Sequence, residues 1–181
     1  MALSANALTS VTAVKEYLKI DATDTSQDSL FEALINASSN VIENYCNRSF
    51  IESTYTDEEY DGKETSNLIL KNFPVYSVTS IKIDDVLVDS TEYKVRKDSG
   101  IVVRLNSVWP AGIMNIKVTY TAGYTAIPAD VELACKHLVM FFYKMDVADF
   151  GRTFGEGIVL RPEAIPPQIR IILGPYRRVL V

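Results

Sequence analysis

One histidine and two cysteines are the only imidazole and thiol groups that 181 residues offer to metal or Cys–His chemistry. A zinc site needs several convergent nitrogen or sulfur ligands, which His137, Cys46 and Cys135 do not supply. A Cys–His nucleophile pair needs facing geometry and an oxyanion site. His137 lies close in sequence to Cys135 and Asp130 but does not share one helical face with both, so it is expected on a helix surface or at an interface. The cysteines stand in apolar, helix-like surroundings and read as buried thiols that behave as small hydrophobes. That usage fits a reducing compartment. No apolar run reaches the 18 or so residues of a membrane span, and Leu138–Tyr143 is the longest candidate. The N-terminus has no basic stretch leading into a long apolar one, so a secretory signal is not expected. Basic charge is also short: 18 Lys and Arg against 23 Asp and Glu leave a net charge of −5. A protein that grips nucleic acid wants a basic face to neutralise phosphates, and the chain as a whole lacks one.

Apolar residues are plentiful at 48%, with 23% charged, enough for a real core in one domain or in one core with an appended subdomain. The charge is unevenly placed. Glu52–Glu64 holds six acids and one lysine, whereas Arg161–Val181 holds four arginines and one glutamate. The plain reading is a solvated acidic loop and a solvated tail. The sharper one is electrostatic complementarity between neighbouring copies or partners, and head-to-tail contacts of that kind close into rings when the rotation allows. The acids Asp57, Glu58, Glu59, Asp61 and Glu64 suit a hard cation chemically but lack the spacing of a calcium-binding loop. Gly151–Gly157 resembles a phosphate loop only in its glycines, because it lacks the Gly–Lys–hydroxyl ending and follows a helix. No cofactor or metal is expected.

Hydrophobic periodicity places a short helix from Thr9 or Ser10 to Leu18, with Val11, Val14 and Leu18 on one stripe. A longer helix follows over Ser26–Tyr45, with Leu30, Leu34, Ala37, Val41 and Tyr45 backed by Phe31, Ile35, Ser38 and Ile42, and Asn47 ends it. The pattern then shortens to a period of two. Strands are expected at Asn67–Asn72, Val75–Ile83, Val86–Val88, Tyr93–Val95, Ile101–Leu105 and Ile116–Thr121, forming one twisted sheet of four to six strands. Pro128 opens a third helix, because a proline's missing N–H loses no partner in the first turn. Val131, Ala134, Cys135, Leu138, Val139 and Phe142 make it central to the core. The glycine-bearing segment Asp146–Arg161 is expected to be a mobile or partner-ordered loop. Ile165-Pro166-Pro167 opens a last short helix, ended by Gly174, and an arginine-bearing tail follows. The fold class is therefore α+β, with a helical core and an antiparallel β-rich insertion between the second and third main helices. The expected parts are 1–50, 51–124 and 125–181.

The order of these features resembles the head–tail connector (adaptor) family of tailed bacteriophages. The resemblance rests on Leu8-Thr9-Ser10-Val11, Val14–Leu18, and Asp28-Ser29-Leu30 running through to Val41–Tyr45 and Arg48. It continues through Phe73-Pro74-Val75, Val118–Tyr124, Ile127–Val131, Ile165-Pro166 and Pro175–Arg178. It covers nearly the whole chain, and its ordered set is more specific than any one motif. It implies a non-enzymatic protein of the virion, placed at the portal vertex where head meets tail and assembled in the host cytoplasm. It further implies a homo-oligomeric ring of twelve copies bound to the portal protein, docking a stopper or tail protein, with DNA passing through without sequence-specific binding and with no membrane partner. Portal-facing or intersubunit contacts are then expected at Arg152, Arg161, Arg170, Tyr176, Arg177 and Arg178. The competing reading, from a different class, is a small-molecule or nucleic-acid binding module that uses the β-rich part.

Overall fold

Ser10 starts the first helix: its side chain accepts the Ala13 N–H at 3.2 Å and so satisfies a first-turn donor. A computed structural model gives the protein's structure and describes residues 2–149 and 165–178, with side chains at 2–144 and 165–178. The fold is α+β, with helices on either side of an antiparallel β insertion in the chain order. It divides into two compact units, one of Met1–Asn47 with Ile127–Val181 and one of Arg48–Ala126.

The first unit holds α1 (Val11–Leu18), α2 (Asp28–Cys46), α3 (Ala129–Asp149) and α4 (Pro167–Leu173). Helix α2 buries Phe31, Leu34, Ile35, Ser38, Ser39, Ile42 and Cys46, a stripe at helical spacing. Leu30, expected on that stripe, sits at its solvent edge. Asn47 ends the helix in a left-handed conformation, a state asparagine tolerates. Helix α3 faces it with Val131, Ala134, Cys135, Leu138 and Val139, all fully buried. Helix α4 packs on α3 through Ile169 and Leu173. Gly174 does not stop the chain in a left-handed turn. It stays right-handed and leads into a 3-10 turn, Gly174–Tyr176. The N-terminal arm lies along α2: Asn6 donates to Asn40 and Glu43, the Ser4 N–H donates to Asn36, and buried Leu8 anchors the arm.

The second unit contains seven strands in two sheets, not one sheet of four to six. One sheet has the order β1-β7-β3-β4, formed by β1 (Ser53–Gly62), β7 (Gly112–Ala122), β3 (Val75–Ile83) and β4 (Val86–Leu87). The other has the order β2-β6-β5, formed by β2 (Asn67–Ile69), β6 (Ile101–Arg104) and β5 (Tyr93–Arg96). Alternation along β7 buries Ile116, Val118, Tyr120 and Ala122 while Lys117, Thr119 and Thr121 face outward, the signature of a half-buried strand. Trp109 is a core residue whose indole N–H donates to the Ser66 carbonyl at 3.1 Å.

The acidic run is not a loop. It forms β1, an edge strand paired antiparallel with β7 from Ser53↔Ala122 to Gly62↔Gly112. Tyr55 and Tyr60 carry its apolar surface to the core, and a shift in register between Tyr55 and Glu58 breaks the simple alternation. Charges and a bulge are ordinary devices for keeping an edge strand from pairing with stray chains.

The insertion is closed at its base. Tyr124 donates its N–H to the Phe50 carbonyl at 2.7 Å, and the Tyr124 carbonyl accepts from Glu52 at 3.2 Å, so the incoming and outgoing segments run side by side in parallel. Gly123 permits this approach. Its φ is +116°, and a Cβ there would meet the Ile51 carbonyl oxygen at 2.5 Å. Beside it the buried Arg48 guanidinium stands 3.7 Å from the Phe73 ring centroid, with the rings of Phe50 and Tyr124 at 5.0 and 5.4 Å.

Candidate assembly surfaces

Four of the six contact residues expected from sequence fall in one place. Pro167, at the start of α4, forfeits no hydrogen bond in the first turn, and α4 turns Ile169 and Leu173 inward. Arg170 therefore points outward, and its Nε–H donates to the Ile165 carbonyl at 2.9 Å. In the 3-10 turn, the Tyr176 hydroxyl donates to Asp130 at 3.4 Å, at the start of α3. The exposed Arg177 guanidinium lies 5.4 Å from the Tyr45 ring centroid, and the Arg178 N–H donates to the Cys46 carbonyl at 2.8 Å. The closing segment is thus fastened to the end of α2 and the start of α3, leaving Arg170 and Arg177 at the surface. Arg152 and Arg161, and the glycines of Gly151–Gly157, lie outside the described residues.

Three of the four acids of β1 have side-chain partners. Asp57 pairs with Lys82 at 3.1 Å, and that hydrogen bond holds its carboxyl below the ordinary range. Glu58 accepts from two phenols, Tyr60 and Tyr120, and meets Lys71 at 3.5 Å. Asp61 accepts the Met114 N–H at 2.7 Å. Burial, then the neighbouring charge and hydrogen bonds, push the Tyr60 hydroxyl above its ordinary value, and burial does the same for Tyr120. These carboxylates shape a strand and its end; among the described residues no group of three His, Cys, Asp or Glu is arranged to hold a metal ion.

His137 and Cys135 serve different neighbours on α3. The His137 ring lies 5.5 Å from that of Tyr17 and is half-buried. The Cys135 thiol sits 3.8 Å from the Ser39 hydroxyl, and burial pushes it up to about 12. A thiol held protonated is a poor nucleophile.

One surface escaped the sequence reading. Val86, Leu87, Ile113 and Met114 are 60–86% exposed and gather at one end of the four-stranded sheet. Register places them there: Val86 pairs with Ile83, Ile83 with Ile116, and Asp84 donates its N–H to the Asn115 carbonyl. The available signal was Val-Leu directly after Asp-Asp and Ile-Met directly after Gly112, apolar pairs at turns where polar residues are usual.

The fold is that of proteins from the neck of virus-like particles. The chain aligns along its full length with 95% of a chain from the neck of an empty gene transfer agent particle computed with C6 symmetry, at 16% identity and a TM-score of 0.62. It aligns equally fully with 96% of a chain from the neck of the native particle computed with C12 symmetry, at 16% identity and a TM-score of 0.56. Residues 7–179 match the model of the head completion protein family, and the chain belongs to that family. A relative, the head completion protein of Escherichia phage T5, is 33% identical over 105 residues, which is 57% of this chain and 60% of that protein's length. Membership makes the chain a structural, non-catalytic component of the virion at the junction of head and tail.

Proposed function

We propose that the chain is a head–tail connector that works by ring assembly. Twelve copies sit beneath the portal, leave a passage for DNA, and offer the next surface to a stopper or tail protein. Membership in the head completion family carries this reading. The C6 and C12 symmetries of the neck structures with the same fold support a cyclic arrangement. A heterologous contact repeated around an axis needs two different surfaces on each copy, and a closed ring results when the rotation closes. The net charge of −5 favours a lining that repels DNA and lets it slide.

Arg152, Arg161, Arg170, Tyr176, Arg177 and Arg178 are the contacts we assign to the portal or to a neighbouring copy. Arg170 and Arg177 have the exposure such a role needs. Guanidinium groups also suit planar, bidentate recognition of carboxylates on a partner. The test is electron microscopy of the purified chain mixed with portal-bearing capsids that lack it. The expected result is an added ring at the portal vertex, with subunits countable by symmetry. Capsids that remain bare at saturating chain would refute the connector reading.

A further inference from the structure

Helix α2 turns a row of polar side chains, Asn36, Asn40 and Glu43, toward the arm that precedes α1. Their spacing of four and then three residues puts them on one face. Asn36 makes two bonds to the arm. Its Oδ1 accepts the Ser4 N–H at 2.9 Å, and its Nδ2 donates to the Ala2 carbonyl at 3.1 Å. A residue in a parallel strand bonds its neighbour in the same way, through a carbonyl and an N–H two residues apart. The amide thus reads main chain on either side of Leu3 and no side chain. Further along the row, the Asn6 amide donates to Asn40 at 3.0 Å and to Glu43 at 2.8 Å. The row is a site for a short peptide segment. It addresses the main chain at two points and asks for one amide side chain.

The arm sits shallowly on this row. Ala2, Leu3, Ser4 and Ala5 are exposed, and Asn6 and Ala7 are half-buried. Burial begins at Leu8, whose N–H donates to the buried Ser39 hydroxyl at 3.0 Å. Hydrogen bonds at an exposed surface compete with water and are individually weak. Residues 2–7 therefore open at low cost from a fixed root at Leu8. Every bond they make to α2 is offered equally by the α2 of an identical chain. Unfurled, six residues span about 20 Å. Packed helices lie about 8–10 Å apart, so an arm rooted at Leu8 has the length to cross to a helix in an adjoining copy.

We infer that the row is an arm-exchange site: in the assembled ring, Asn36, Asn40 and Glu43 of each copy take the arm of a neighbouring copy. Exchange of an identical element between copies is a low-cost route to association. Around a ring it is also heterologous, because the arm that is given differs from the row that receives. The inference rests on the ring reading above.

Cross-linking within rings formed on portal-bearing capsids tests it. Asn6→Cys and Asn40→Cys stand at the two ends of one contact and leave the Asn36 bonds in place, and both native cysteines are buried. A mixture of the two singly substituted chains, treated with a short bis-maleimide, reports only contacts between copies. The expected product is a covalent dimer from the mixture and none from either variant alone. A chain carrying both substitutions is expected to join within itself when free and dilute, and to join into covalent multimers in the ring. Adding Asn36→Ala to the Asn40→Cys chain removes two bonds to the arm, and the yield of mixed dimer is expected to fall about tenfold. Complete rings in which the mixture never joins, and the doubly substituted chain joins only within itself, overturn the exchange and leave the ring standing. Mixed dimers that form equally well with Asn36→Ala overturn the row as the receiving site. A wild-type chain that never forms a ring removes both proposals.

Discussion

The hydroxyl oxygens of Tyr60 and Tyr120 lie 3.0 Å apart, and both turn to the same oxygen of Glu58. Each phenol has one proton to give. With Glu58 ionised, both protons go to the carboxylate, and the contact between the phenols carries none. The Lys71 N–H, at 3.0 Å, and the Asn72 N–H, at 3.4 Å, supply the phenol oxygens with donors in return. The cluster therefore ties the bulged edge strand β1 to β7 and to the segment after β2 through one carboxylate.

Tyr120→Phe removes one donor from that carboxylate and the acceptor of the Asn72 N–H. A hydrogen bond to a charged group is worth about 1.5–3 kcal/mol, so urea unfolding is expected to show a loss within that range. Glu58→Ala should lose more, because it leaves two buried hydroxyls without their acceptor.

The same phenols set an alkaline limit. Their folded values lie above the ordinary 10.0, chiefly through burial. Raised values mean that the stabilisation is complete below the unfolded value of 10.0 and is lost as pH rises past it. Stability should fall above that point by about 1.4 kcal/mol per pH unit for each phenol kept protonated. Unfolding curves of wild type and Tyr120→Phe at rising pH check this, and the variant is expected to show the shallower fall.

Arg48 is held among aromatic rings, where its flat cation is stacked and desolvated. Lysine brings a compact charge in place of a flat one. Arg48→Lys is expected to lose about 2 kcal/mol, the scale of a desolvated cation–ring contact. Near-ultraviolet circular dichroism, sensitive to the Phe and Tyr packing, should change with it.

Gly123→Ala drives a Cβ to within 2.5 Å of the Ile51 carbonyl oxygen and imposes a φ of +116° on a residue that resists it. Strain of about 1–3 kcal/mol is expected, seen as a lower melting temperature. Gly174→Ala is the matched control. Nothing lies within 4 Å of its added Cβ, and its φ of −50° is helical. It should hold or raise stability by about 0.4–1 kcal/mol.

Both thiols should be silent in the folded chain. Cys46 and Cys135 are fully buried, and the Cys135 thiol is pushed up to about 12. A colorimetric thiol reagent at pH 8 is expected to label neither, and to label both after denaturation.

The helices were legible because their signals are local. Apolar spacing and end residues such as Ser10, Asn47 and Pro167 mark them within a few positions. Strand β3 was legible for the same reason, from a run of β-branched residues. Strand β1 was hidden because its pairing is remote: Ser53 meets Ala122, and the acids that dominate its composition describe its solvent side alone. Its core contacts come from Tyr55 and Tyr60, and the register shift between them breaks the alternation that would have revealed a strand. Arg170, Tyr176, Arg177 and Arg178 were legible as a basic segment, but their neighbours Tyr45, Cys46 and Asp130 are distant in sequence. The apolar end of the sheet was missed because Val86-Leu87 and Ile113-Met114 come together only when β3, β4 and β7 pair in register.

Ile51 and Tyr124 stand side by side in a parallel bridge, so the long excursion between them starts and finishes at one point. Seen from the gene, that is a cassette boundary. Recombination at two short sites could exchange everything from Arg48 to Ala126 while the helices on either side keep their reading and spacing. A short flexible link across the same two points carries only a small closure entropy, since that term grows slowly with loop length. The helical part and the insertion are therefore free to follow separate histories.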